Sequence, residues 1–563
     1  MILRTAAAPE RFTLSLSVEQ LMLLASVFWA FSANGLFLSA ALEGRELAQA
    51  GSLGFAAALL LMLVAMHFVL LSVVSTRHTV KPVLAVLIVG TAFATHFMQS
   101  YKVYLDPSMM RNVLRTDAAE ARELFSWRLL PHLLLFAVLP LIVLWRVRVE
   151  SRPWLRALLR RVLSVFGALA LLVGALLLIF QPFASMMRNN KDMRYLATPA
   201  NYLYSIGAVV AAQAKGAAKP RRAIGLDAKP GPAFAARARP LLVLMVVGET
   251  ARAANWGLNG YARQTTPELA ALAAAGEPLL NFGDVSSCGT NTEVSLPCMF
   301  APVGRRDYDE ATIRGSESLL HVLARAGVGV MWRDNQSGCK GACDGLPQEN
   351  VMDLKLSGIC NDGRCLDEGL LAGLPERLDA LAKAGKPATQ LLVLHMLGNH
   401  GPSYFRRYPP AFKRFEPACE FDDLHKCSRE QIVAAYDNAL LYTDHVLAGA
   451  VKQLQAAAGT VDSVLLYVSD HGESLGENNL YLHGLPYAIA PDLQKRVPMV
   501  MWFSAAAPRT LGLDVACLQR RTKQPAAHDH LFHTLLGLVD VKTALYEAPW
   551  DLAQGCRTAP AAP

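Results

Sequence analysis

Cysteine is missing from the first 287 residues of the chain, and long apolar runs are missing after residue 180. The two absences divide the chain into parts of different chemistry. A length of 563 residues already exceeds one ordinary domain. No CxxC faces a second CxxC or a histidine pair, so the thiols do not read as a zinc knuckle. No basic run carries interleaved aromatics, which argues against nucleic-acid binding. The net charge of +8 suits an anionic membrane surface or phosphate-bearing lipids better. There is no internal repeat. The first apolar run lacks a clear cleavage site and more such runs follow, so it is not a cleaved signal peptide.

What is present begins with those runs. A membrane span needs about 20 mostly apolar residues. Five segments qualify or nearly qualify: 21–42, 53–74, 82–98, 129–145 and 162–180. Arg146, Arg148, Arg152, Arg156, Arg160 and Arg161 place the 146–161 loop in the cytoplasm, and Arg77 with Lys81 agree. Five spans with the N-terminus inside put everything after 181 outside. The 99–128 loop, with Lys102, Arg111, Arg115, Arg122 and Arg128, then lies outside. Its amphipathic pattern predicts a helix on the membrane surface. Asn34, His67 and His96 sit within spans and are read as hydrogen-bonding groups between helices.

The ten cysteines are Cys288, Cys298, Cys339, Cys343, Cys360, Cys365, Cys419, Cys427, Cys517 and Cys556. An even count, mostly in close sequential pairs, predicts five disulfides in an oxidising compartment. Spacing leaves their connectivity open. The compartment agrees with the orientation deduced from different residues.

The expected organisation is a transmembrane domain over 1–180, an interfacial helix and extended tether over 181–239, and a catalytic domain over 240–563. In the last, short apolar runs at 240–249, 328–335, 390–401, 462–473 and 497–504 alternate with helical patterns at 265–277, 316–327 and 428–459. That alternation predicts an α/β fold, a mostly parallel sheet with helices on both faces. Ligands bind such sheets beyond the carboxyl ends of the strands. Glu249, Asp470, His471 and His400 follow strand ends. Such a set suits zinc, which takes three protein ligands in catalytic sites and keeps a position open. Thr290, in SSCGTNTEVSLPCMF (286–300), fits as a fourth member whose hydroxyl a metal would activate. His528, His530 and His533 look like a metal cluster, but their spacings do not share one helix face, and a packed helix is the preferred reading.

VVGETAR (246–252), SSCGTNTEVSLPCMF, NQSGCKGACD (335–344), LGNHGPSYFRRYPPAF (397–412), AYDNALLYTD (435–444) and VSDHGESLGENNLYLHGLPYA (468–488) resemble the phosphoethanolamine–lipid A transferases. That family includes the colistin-resistance enzymes of Gram-negative bacteria. The resemblance covers essentially the whole chain and implies an alkaline-phosphatase-like domain in the periplasm, anchored in the inner membrane. It implies Thr290 as zinc-bound nucleophile and Glu249, Asp470 and His471 as ligands of one tight Zn2+, with a second zinc entering in turnover. It implies His400 and His483 as catalytic histidines. Lys340 and Glu473 match positions near the phosphate or second metal, and Asn112, Thr116 and Glu120 match positions associated with the lipid headgroup. The implied reaction moves phosphoethanolamine from phosphatidylethanolamine to a lipid A phosphate through Thr290, which lowers surface charge and gives polymyxin resistance. The enzyme is expected to act as a monomer among membrane lipids, without nucleic acid. The rival readings are transfer to a core sugar and a non-catalytic zinc- and lipid-binding membrane protein.

Overall fold

The computed structural model describes residues 14–557 apart from 44, 47–49, 117, 218–220, 362 and 385–387. The ends of the expected first and last domains, and part of the tether, lie outside the described residues. The chain forms two compact units. One takes residues up to Val113 together with Ser126–Ala211, and the other takes Leu114–Phe125 together with Ala212 onward.

The first unit is helical. Among the described residues, four helices are long and apolar enough to span a membrane: α3 (Ala50–Val74), α4 (Val80–Tyr101), α7 (Leu129–Arg146) and α8 (Trp154–Leu178). The first expected span is instead two helices, α1 (Val18–Ser32) and α2 (Gly35–Ala41), bent by 58°. Counted as one, the pair completes the five expected spans. Asn34 sits at the break. Its side chain donates to the carbonyls of Trp29 (2.9 Å) and Thr198 (2.7 Å) and accepts from Thr198 N–H (3.0 Å). The polar residue thus ties a broken span to a distant turn, as a hydrogen-bonding group rather than a site. His67 packs edge-on against Trp29, and His96 against His132.

The structure adds detail to two expectations for the connecting segments. The surface helix expected from the 99–128 loop is two short helices, α5 (Pro107–Arg115) and α6 (Ala118–Glu123), and residues 114–125 belong to the second unit. Their charges are engaged in ion pairs there: Arg115 with Glu293, and Glu123 with Arg364 and Arg407. The expected tether is bonded along its length. Arg222 N–H donates to Gly315 O, Gly231 N–H to Asp540 O, and buried Arg237 Nη2 to Val539 O. Among the described residues, the expected interfacial stretch before it holds a helix over Phe180–Asn189 and the longer α9 (Ala200–Ala217).

The second unit is built on a seven-stranded sheet of β1 (Leu241–Gly248), β2 (Leu279–Phe282), β3 (Gly329–Asp334), β4 (Gln348–Asn350), β5 (Thr389–His395), β6 (Asp462–Ser469) and β7 (Met499–Phe503). Its order is β2-β7-β6-β1-β5-β3-β4, and β7 alone runs against its neighbours. Every residue of β1 is buried. Leu241, Val243, Met245 and Val247 enter one core, and Leu242, Leu244 and Val246 enter the other. Period-two alternation with apolar residues on both faces requires helices on both. Helix α12 (Arg429–Ala456) covers one face, opened by a capping box between Ser428 and Gln431. Helix α13 (Asp529–Val539) contributes to the other.

All ten cysteines pair: Cys288–Cys298, Cys339–Cys343, Cys360–Cys365, Cys419–Cys427 and Cys517–Cys556. Four close short loops, and the fifth spans 39 positions and fixes the C-terminal segment. Loop entropy makes the long one worth about 4 kcal/mol and the Cys339–Cys343 bridge about 2 kcal/mol. Replacing Cys517 and Cys556 by serine is therefore expected to lower the denaturant midpoint of the second unit about twice as far as replacing Cys339 and Cys343.

Candidate active site

Register brings the strand ends level. Gly248 lies opposite Ser469, Val247 opposite His395, and His395 opposite Asp334. The residues that follow emerge together at the carboxyl edge of the sheet. Glu249, Asp470 and His471 are all buried, and one ligand atom from each lies within 4.8 Å of the others.

The polar partners of this group leave a gap. Asp470 Oδ1 accepts from the N–H groups of Thr250 (3.1 Å) and His471 (2.7 Å). Its Oδ2 is buried with no hydrogen-bond partner among the described residues. A buried acceptor left unpaired costs about 1–3 kcal/mol. His471 Nδ1 donates to the Gly472 carbonyl at 2.9 Å. That leaves Nε2 facing Glu249 Oε1 (3.4 Å) and Asp470 Oδ2 (3.5 Å). Burial opposes a charge on His471, yet Asp470 and Glu249 push it up to about 10. Burial, reinforced by Glu249, lifts Asp470 to about 7. Burial also works against Glu249, but the hydrogen bond and charge of His471 bring it well below the usual carboxylate range. Two buried carboxylates thus share the one positive charge of His471. Two carboxylates and an imidazole, with an unpaired oxygen aimed among them, fit a divalent metal of the zinc type.

Around this group the chain is held closely. Gly398 has φ +51°, and a Cβ there would lie 2.7 Å from the Glu249 carbonyl, so the 397–400 turn approaches only as glycine. Gly289 is comparable: a Cβ would meet Ser295 N at 2.9 Å. The Cys288–Cys298 bridge joins the Thr290 loop to the far end of helix α11 (Thr292–Met299). Thr290 is buried. Its hydroxyl donates to Leu485 O (2.6 Å), and its carbonyl accepts from Gly484 N–H (2.8 Å).

The neighbouring His483 ring lies 4.2 Å from the His471 ring and 6.0 Å from that of His400. His483 Nδ1 is 3.3 Å from Glu473 Oε2. Burial brings His400 down to about 4; burial and the charge of His471 bring His483 down to about 3. Burial drives Glu473 well above the usual carboxylate range. Glu120 Oε1 lies 3.5 Å from His400 Nε2. A cavity of about 300 Å³ beside His400 is lined by Glu120, Ser337, Asp353 and Arg364 among others. Lys340 does not join the buried group. Its ammonium donates to the carbonyl and hydroxyl of Ser337 within its own disulfide loop. Thr116 falls in the second unit and Asn112 in the first.

Sequence reasoning missed three residues and gave a fourth, His528, only a packing role. Thr292 Oγ1 lies 3.0 Å from Glu249 Oε2 and 3.4 Å from His471 Nε2. Gln336 Nε2 donates to Glu249 Oε2 (3.1 Å), and Thr250 Oγ1 to Glu249 Oε1 (2.6 Å). His528 accepts from Cys288 N–H (3.0 Å) and donates to Ser469 O (2.9 Å), joining the Thr290 loop to β6. The histidines at 528, 530 and 533 form no metal group among the described residues. Thr292 had a signal in the repeated threonine of GTNT; a lone glutamine or histidine carries none.

Comparison with known proteins gives a consistent family. Residues 242–541 match the sulfatase family, and residues 63–214 match the family described as phosphoethanolamine transferase EptA/EptB. Phosphoethanolamine transferase EptA of Salmonella typhimurium is 40% identical over 84% of this chain and 84% of its own. Phosphatidylethanolamine transferase Mcr-1 of Escherichia coli is 36% identical over 93% of this chain and 96% of its own. The structure of the integral membrane lipooligosaccharide phosphoethanolamine transferase A of Neisseria meningitidis superposes with a TM-score of 0.90 at 36% identity, covering 97% of this chain and 100% of that one.

Metal content tests the buried group. Glu249→Gln, Asp470→Asn and His471→Ala are each expected to abolish stoichiometric zinc in the purified protein. Gln336→Ala, which removes only a partner of Glu249, is expected to weaken zinc about tenfold in chelator competition.

Proposed function

Because the chain belongs to the phosphoethanolamine transferases, we propose that it moves phosphoethanolamine from phosphatidylethanolamine to a phosphate of lipid A, with Thr290 as the residue that carries the group. It is a multi-pass protein of the bacterial inner membrane, with its catalytic domain in the periplasm. The observation that carries the reading is the buried Glu249–Asp470–His471 group, short of one cation, at the sheet edge beside the Thr290 loop.

Zinc held by these three residues would favour the alkoxide of a coordinated hydroxyl and offset charge developing on the phosphoryl group. The rest is the work of side chains. Rotation of Thr290 about χ1 releases its hydroxyl from Leu485 O. The Thr290 oxygen attacks phosphorus, and the bond to the diacylglycerol oxygen breaks. His400, kept neutral by burial, takes the threonine proton and delivers it to that leaving oxygen. A lipid A phosphate oxygen then attacks the same phosphorus, the bond to Thr290 breaks, and His400 passes the proton of the acceptor's P–OH to the Thr290 oxygen. His483, packed on His471, contacts the phosphate oxygens, and a second zinc in turnover would lie on the His400, His483 and Glu473 side. Thr116 and Glu120 are assigned to the lipid headgroup, and Lys340 to the phosphate. The added ethanolamine ammonium lowers outer-membrane negative charge and with it attraction for polymyxins.

One observation favours a second assignment of the nucleophile. Thr292, not Thr290, touches Glu249 and His471. Thr292 opens helix α11, whose first turn is capped by Asn291 accepting from Val294 N–H, and the Thr290 reading is preferred on the family resemblance. Expression in a polymyxin-sensitive host with mass spectrometry of lipid A separates the two. Thr290→Ala is expected to lose transfer by at least about a thousandfold. Thr292→Val is expected to retain a phosphoethanolamine adduct on residue 290. An adduct on residue 292 would overturn the assignment, and an adduct on a core sugar would favour the other acceptor. Unmodified lipid A with the intact protein would sink the transfer. Chelation followed by zinc addition is expected to abolish and restore transfer.

A further inference from the structure

One guanidinium stands behind two parts of the site. Arg407 is buried, 3% exposed, in the loop that follows His400. Its Nε donates to the His400 carbonyl at 2.7 Å, and its Nη2 donates to Glu123. Glu123 is 6% exposed, and its other oxygen lies 3.0 Å from Arg364 Nη1. Glu123 closes α6 three residues after Glu120, so the two carboxylates share a helix face. Glu120 in turn lies 3.5 Å from His400 Nε2. Nδ1 of His400 has no hydrogen-bond partner among the described residues. The ring is therefore oriented by its main chain and by Glu120. That main chain is held on its other side by Asp367, which accepts from the N–H groups of Leu397 and Gly398, both at 2.8 Å.

We propose that Glu123 and Arg407 are positioning residues. Their ion pair fixes His400 through its carbonyl and Glu120 through the shared face of α6. It thereby sets the spacing between the proton-carrying imidazole and the carboxylate that meets the donor's ammonium. The proposal rests on the phosphoethanolamine-transfer reading and adds to it the groups that hold its two ends in register. The two partners act through different residues, so their losses separate. Glu123 acts on donor binding through Glu120. Arg407 acts on the chemical step through His400.

The test is steady-state kinetics of the full-length enzyme in detergent micelles, with phosphatidylethanolamine varied. Glu123→Gln is expected to raise the donor KM about tenfold with kcat within about twofold. Arg407→Lys is expected to lower kcat about tenfold, since lysine cannot reach both partners in fork geometry. Adding Glu123→Gln to Glu120→Gln is expected to raise KM by less than about twofold more, because both changes remove one contact. Should either variant fail to fold, Arg364→Gln removes the outer partner of Glu123 and is expected to raise KM about threefold, again only where Glu120 is intact. Unchanged kcat and KM per folded molecule, with a lowered melting temperature, would reduce the pair to a structural brace and overturn the proposal. Effects that multiply in the Glu120→Gln background would overturn it too. A wild-type enzyme without transfer would sink the parent reading and this one with it. A wild-type donor KM in folded Glu123→Gln sinks this one alone.

Discussion

Burying two carboxylates beside one another is the constraint on which the second unit depends. Two like charges about 4 Å apart at an effective dielectric of about 20 repel by roughly 4 kcal/mol. Glu249 and Asp470 are fully enclosed, and the ionisable His471 faces both. A proton shared among them relieves the repulsion but leaves Asp470 Oδ2 unpaired. A divalent cation answers both needs. The surroundings then make sense as devices that keep the acceptors converged: the level register of β1, β5 and β6, the glycine turn at 398, and the hydroxyls and amide of Thr250, Thr292 and Gln336 that bond Glu249.

Much of this was legible because it obeys local rules. A strand buried on both faces reads as an unbroken apolar run, so β1, β5, β6 and β7 announce themselves, and the residue after each run is where chemistry collects. The two short edge strands β2 and β4 carry no such run and were not expected. The break at Asn34 was hidden for another reason. Its cause is a backbone partner at Thr198, 164 positions away, and no window of sequence contains both. The partners of the 114–125 segment were not legible, because amphipathic periodicity reports that one face is polar, not what that face meets. Its charges meet Glu293, Arg364 and Arg407. The role of Thr290 came from family resemblance. The contact of Thr292 with the buried group needed coordinates.

The disulfides follow the irregular chain rather than the sheet. Cys288–Cys298 brackets Thr290, Cys339–Cys343 encloses Lys340, and Cys360–Cys365 holds the hairpin bearing Arg364. Short loops gain little global stability from closure. They gain order, which loops without ladder hydrogen bonds cannot otherwise keep. The bridges thus lie where side chains must be held at an edge that the strands have already left.

The donor headgroup places opposite demands on one small site. Its phosphodiester is anionic and its ammonium is cationic, so a pocket of one sign would reject half of it. With zinc held by Glu249, Asp470 and His471, the proposed site would offer charge of both signs. The metal-type group of Glu249, Asp470 and His471 lies on one side of His483 and His400, and the carboxylates of Glu120 and Asp353 line the cavity on the other. The strands supply the first half. The second half comes in part from a stretch that lies in sequence between two apolar spans, and its acid group would swing freely without an anchor. That is the reason to bury an arginine against it: a guanidinium has donors enough to hold the His400 carbonyl and the Glu123 carboxylate at once, and so makes the distance between the two halves a property of one rigid group.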